Sequence, residues 1–136
     1  MLRNIFFHLV LFTISFIDVY AQGGIISFEK TYIDLGTVTE REFPIKYRFG
    51  YIVAGSTPVT ITKIETDCAC SIAEYSQEAI GPGKKGFVEV IFSPYKAGPF
   101  KKSFTVIATK AVPQKTELII EGFIKPFTFM PKIEFP

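Results

Sequence analysis

Apolar and polar positions alternate along most of this chain, and the alternation has the two-residue period of strands. Val59-Thr60-Ile61-Thr62-Lys63-Ile64 reads as a half-buried strand. Phe100, Phe104, Val106 and Ala108 share one parity, interrupted by Lys102, and Leu118, Ile120, Gly122 and Ile124 repeat the pattern. Apolar runs also cover 25–28, 32–35, 43–53, 72–75 and 87–92. Turn formers separate them: Gly36, Ala54-Gly55-Ser56-Thr57-Pro58, Gly81-Pro82-Gly83, Ser93-Pro94 and Gly98-Pro99. No window of a dozen residues carries apolar side chains at helical spacing. About seven short strands at regular spacing predict an all-β chain folded as a single antiparallel β-sandwich over 22–126. The sequence holds no internal repeat, so one such module fits.

The first 21 residues do not fit this pattern. Arg3 gives a basic start, 5–17 is almost wholly apolar, and Val19-Tyr20-Ala21 ends in the small-residue pattern of a cleavage site. This predicts a secretory signal peptide over 1–21, removed to leave a mature chain starting at Gln22. The apolar run is about 13 residues, short of the roughly 20 that span a bilayer, and no later segment is long enough. A lipid anchor would need a cysteine at the cleavage site, where Gln22 stands. The expectation is an exported protein, periplasmic or secreted from a Gram-negative-type cell, with no transmembrane anchor in the mature chain.

Charge narrows the partners. The formal net charge is +2. It stays there after cleavage, because Arg3 and Asp18 leave together. Lysines are scattered, with pairs only at Lys84-Lys85 and Lys101-Lys102. Nucleic-acid binding calls for a concentrated basic face, which this chain lacks. The C-terminal extended tail, 127–136, is apolar and aromatic but cut by prolines. Two readings stay open for it: a last segment packed on the sandwich, or an exposed contact for a protein partner in the cell envelope. In the second, Phe127, Phe129 and Phe135 are the partner-contact candidates, although Pro126, Pro131 and Pro136 limit pairing with a sheet edge. The oligomeric state stays open.

Candidate chemistry is sparse. His8 is the single histidine and leaves with the leader, so the mature chain has no imidazole for general-base or triad catalysis. Gly81-Pro82-Gly83-Lys84-Lys85-Gly86 is only superficially a phosphate cradle, since Pro82 lacks an amide donor and no helix pattern follows; it reads as a hairpin turn. Glu65 with Asp67, and Glu40 with Glu42, are carboxylates two residues apart, which share a face on a strand. A glycosidase-type role for either pair is a minor reading. No catalytic residue, cofactor or metal site is assigned.

Asp67-Cys68-Ala69-Cys70 is the one unusual constellation. Two thiols in an oxidising compartment normally pair. Residues two apart on a strand are separated by about 6.6 Å at Cα, near the upper limit of disulfide geometry. A bridge would therefore need a bend, and a strained bridge is readily reduced. Four readings stay open: a local structural feature (buried thiols or a disulfide), a reactive dithiol, a two-thiolate site for Cu(I), and an intermolecular link. Cys68 and Cys70 are the candidate disulfide or thiol site.

The order of these features resembles an exported bacterial family, the domain of unknown function DUF1573. Ile26-Ser27-Phe28 followed by Tyr32-Ile33-Asp34-Leu35-Gly36-Thr37-Val38 is similar to its opening. Thr66-Asp67-Cys68-Ala69-Cys70 resembles its central C-G-C motif, with Ala69 in place of the glycine. Ile80 to Gly86, Phe87 to Phe92, Gly98-Pro99-Phe100 and Leu118 to Gly122 resemble its later turn and strands. Val53-Ala54-Gly55 stands where the family usually has Asn-x-Gly. The resemblance covers about residues 25–125. It implies an Ig-like sandwich, similar to the Hydin and major-sperm-protein type, and an exported location. It implies no reaction. The expectation is a non-enzymatic Ig-like binding or structural module, and the alternative is a thiol-based redox or metal-handling protein using Cys68 and Cys70.

Overall fold

A computed structural model describes residues 23–67, 71–93 and 96–128. The predicted leader, the Cys68-Ala69-Cys70 triplet, Phe129 and Phe135 lie outside the described residues.

Eight strands follow one another: β1 (Gly24–Phe28), β2 (Tyr32–Thr39), β3 (Ile45–Gly55), β4 (Thr60–Thr66), β5 (Ser71–Tyr75), β6 (Lys85–Phe92), β7 (Gly98–Thr109) and β8 (Lys115–Lys125). They form two four-stranded sheets, β1-β3-β6-β5 and β2-β8-β7-β4. The sandwich predicted from alternation is present. All pairs are antiparallel but one, because β2 runs parallel to β8. That pair joins the strands of its sheet that come first and last in the chain, and the stretch from 40 to 114, which contains β3 to β7, is the crossover connection that parallel pairing requires.

Alternation fixes which side of each strand is buried. Phe49, Tyr51 and Val53 of β3 and Val88, Val90 and Phe92 of β6 point inward from one sheet. Phe104, Val106 and Ala108 of β7 and Leu118, Ile120 and Ile124 of β8 meet them from the other. Phe92 links the two layers at one end of the core, with ring centroids 6.5 Å from Phe43 and 5.6 Å from Phe100. Each large side chain sealed here is worth roughly 1.5–3 kcal/mol of transfer free energy. Among the described residues, Ser71 is the one buried polar side chain, and no buried side-chain nitrogen or oxygen lacks a partner.

The four sheet edges are blunted. β1 and β5 are only five residues long. β1 is further covered at Gly24, whose N–H donates to the Lys110 carbonyl and whose carbonyl accepts from the Val112 N–H. β2 and β4 each carry a register shift, between Asp34 and Thr37 and between Ile61 and Lys63. Short edges and bulges are the usual defences against pairing with another chain.

Besides the parallel β2–β8 pair, sequence expectation and structure part at three places. Gly36, expected as a turn between strands, lies inside β2 at its register shift. The apolar run 43–53 becomes a strand at Ile45–Gly55, because Thr39 to Phe43 forms and closes a single 3-10 turn at Glu40–Glu42. The Gly81-Pro82-Gly83 turn is present, with the Lys84 N–H donating to the Gly81 carbonyl. It sits inside a longer connection, though, and the Gly83 N–H donates to Val53 of β3.

Candidate functional site

The residues singled out in the sequence do not converge. Glu65 lies exposed beside Lys63, whose ammonium is 2.8 Å from Glu65 Oε1 and holds its carboxyl below the usual range. Asp67 accepts from the Ser103 N–H at 3.4 Å. Glu40 and Glu42 stand on a 3-10 turn rather than a strand, so two-residue spacing sends them apart. Glu42 accepts from the N–H and hydroxyl of Thr39. Glu40 accepts from the Phe127 N–H at 3.2 Å, while the Arg41 guanidinium covers the Phe127 ring at 3.6 Å. Phe127 is thus held by the 3-10 turn, though it stays 42% exposed. Phe129 and Phe135 lie outside the described residues, as do Cys68 and Cys70. β4, which precedes the thiol segment in sequence, and β5, which follows it, belong to different sheets.

A different group of side chains does come together, on the outer face of the β2-β8-β7 side. Register sets Tyr32, Ile119 and Ser103 in one row across the three strands. Asp34, Glu121 and Lys101 form the next row, and Thr37, Phe123 and Pro99 the third. Their neighbours in sequence point inward (Ile33, Val38, Leu118, Ile120, Ile124), which forces these residues outward. A charged row therefore lies between two rows that carry aromatic or apolar side chains.

The second and third rows border an open trough of about 550 Å³, lined by Asp34, Thr37, Pro99, Lys101, Glu121 and Phe123 among others. The β2 bulge lies along it, with Gly36 and Thr37 in its lining. Gly36 sits there at φ +63, a left-handed conformation that glycine adopts without steric cost. Its N–H donates to Asp34 Oδ1 at 2.8 Å, a local turn that fixes the carboxylate. Beneath the bulge, Gly122 has no room for a side chain. A Cβ would lie 2.8 Å from the Gly36 carbonyl oxygen and 3.0 Å from the Phe100 ring.

Electrostatics order the middle row. Asp34 and Glu121 face each other on neighbouring strands, an arrangement that repels unless it is compensated. The Tyr32 hydroxyl donates to Glu121 Oε1, and Lys101 stands opposite Glu121 in the register of β7 and β8. That hydrogen bond is the main reason the Tyr32 phenol is pushed up to about 12, helped by lost hydration and by the charges of Glu121 and Asp34. Phe123 (47% exposed) and Tyr32 (48%) are large apolar side chains left open on this face.

Among the described residues, no group of three or more histidine, cysteine, aspartate or glutamate side chains is placed to hold a metal ion. Nor is any helix long and apolar enough to cross a membrane. The three-row site escaped sequence reasoning because it is assembled from strands far apart in the chain. One local signal was visible: Asp34-x-Gly36, the pattern of a side-chain-capped turn.

Comparison with known proteins agrees with this architecture. The sequence model of a family described as "Protein of unknown function (DUF1573)" matches residues 26–124. No curated protein matches the chain. A protein of unknown function from Porphyromonas gingivalis W83 superposes with a TM-score of 0.64 at 14% identity, over 80% of this chain and 51% of that one. The secreted serine protease VesC from Vibrio cholerae does so at 0.57 and 11%, over 74% and 23%. The VesB protease of the same organism gives 0.55 and 14%, over 74% and 31%. The chain thus spans about half of the first structure and a third or less of the proteases. Likeness at these identities is a likeness of fold.

Proposed function

We propose, on the premise that the chain belongs to the DUF1573 family, that it is an exported, non-enzymatic module that binds a partner in the cell envelope through a sheet face. The leader pattern of residues 1–21 supports export. The carboxylate pairs flagged in the sequence are engaged separately with Lys63, Ser103, Phe127 and Thr39, which speaks for a structural role. The observation that carries the binding reading is the outer face of β2, β8 and β7. It keeps Phe123 open to solvent beside an ordered row of charges, while every edge strand is short or bulged.

Two measurements test this. Intact mass of protein from the native envelope is expected to place the N-terminus at Gln22; an N-terminus at Met1 overturns export. Affinity capture from the same envelope compares wild type, Phe123→Ala and a Cys68→Ser/Cys70→Ser double variant. Face binding predicts that the partner is lost with Phe123→Ala and kept by the double variant. Loss confined to the double variant, or stoichiometric copper or zinc on the wild-type protein, would establish the thiol reading instead.

A further inference from the structure

We propose that the trough across β2, β8 and β7 is a saccharide-binding site that takes a neutral glycan. This rests on the face-binding reading and supplies its ligand chemistry.

The charge pattern narrows the class. The middle row holds two carboxylates, Asp34 and Glu121, and one ammonium, Lys101, as neighbours across three strands. An anionic ligand such as a phosphate or a nucleic acid would meet the carboxylates. A cationic peptide would gain from the carboxylates but meet Lys101 beside them, which offsets part of that gain. A neutral polyol meets neither penalty, because a hydroxyl donates to a carboxylate and accepts from an ammonium. Both kinds of partner stand side by side here. Asp34 is oriented by the Gly36 N–H and Glu121 by the Tyr32 hydroxyl, so a ligand would not have to order them.

The flanking row supplies the apolar half of sugar recognition. A pyranose has C–H faces as well as hydroxyl edges. Phe123 presents an exposed ring beside Pro99, adjacent to the charged row. The trough, at about 550 Å³, is open along the sheet rather than closed. That shape suits a few residues of an extended chain that passes over the face.

The test is titration of the isotopically labelled mature chain, followed by amide chemical shifts. The probes are maltohexaose, cellohexaose, chitohexaose and a linear mannohexaose, with a lysine-rich hexapeptide and inorganic phosphate as charged comparators. Saccharide binding predicts saturable shifts from at least one neutral probe, concentrated in 32–37, 99–103 and 119–123. Phe123→Ala should weaken that binding about tenfold or more, the loss expected when a stacked aromatic face is removed. Phe123→Tyr, which keeps the ring, should restore it. Phe123 points outward, so both variants should fold; an unchanged amide spectrum elsewhere verifies this. Binding of the peptide or of phosphate at these residues, with no saccharide effect, overturns the glycan assignment and leaves face binding standing. No shift with any saccharide, or shifts elsewhere on the molecule, overturns the assignment outright.

Discussion

The two sheets have the same number of strands and share one core, yet their outer faces differ. On the β3-β6 face the groups close on one another. Arg48 bonds Glu89 at 3.0 Å and lies 4.2 Å from the centre of the Phe87 ring, while the Glu29 carboxyl packs over Gly50. The hollow there, by Glu29, Arg48 and Gly50, is about 210 Å³. On the β2-β8-β7 face the charges are ordered in a row, the trough is more than twice as large, and Phe123 has no cation or ring stacked on it among the described residues. The difference comes from backbone rather than composition. β2 carries a bulge with Gly36 in a left-handed conformation, seated over Gly122, whose missing side chain leaves room for the Gly36 carbonyl; the β3-β6 ladder runs without a shift. One outer face of the sandwich is thus closed by its own side chains, and the other is left open.

Substitutions break the comparison in graded ways. The largest effect is expected for Phe104→Ala, inside β7 and fully buried, which should cost about 3–5 kcal/mol in denaturant unfolding. Phe123→Ala on the adjacent strand's outer face should cost under about 1 kcal/mol, since surface changes are usually small. Equal costs would mean that Phe123 is a packing residue and the open face is misassigned. Gly122→Ala comes next. The added methyl meets the Gly36 carbonyl and the Phe100 ring, so a loss of about 1–3 kcal/mol is expected, together with altered amide shifts at 34–37. Unchanged shifts there would show that the bulge does not depend on Gly122.

Smaller effects sharpen the contrast. Arg48→Ala should cost about 1 kcal/mol, because Arg48 is exposed while its partner Glu89 is partly buried, and should leave binding at the trough unaltered. The weakest signature is a titration. Tyr32 keeps its proton from the ordinary phenol value of about 10 up to about 12. Stability from its bond to Glu121 is therefore fully present below about pH 10 and disappears as pH rises through about 12. In Glu121→Gln the late phenol should ionise earlier, as read by phenolate absorbance, while Tyr51, raised chiefly by burial, stays late. No earlier ionisation in that variant would remove the Tyr32–Glu121 contact from the account.

Much of the fold was legible in the alternation of β7 and β8, because each residue's facing is a local property of the strand. Phe104, Val106, Ala108, Leu118, Ile120 and Ile124 are all buried as their parity required. The parallel β2–β8 pair was not legible, since nothing near Ile33 records that Ile120 will lie beside it. Glu40 and Glu42 misled for a related reason: strand geometry was assumed where the Thr39–Glu42 contacts make a 3-10 turn. The trough was hidden most deeply. Asp34, Glu121 and Lys101 look like ordinary surface charges until the register aligns them.

The most direct test of the central claim is in-cell photo-crosslinking from single positions on the two outer faces and on the edges. Probes at Phe123 and Lys101 are expected to capture an envelope partner, while probes at Arg48, Glu74 and Ser27 capture none. Crosslinks from the β3-β6 face or from an edge strand, with silence at Phe123 and Lys101, would contradict the account.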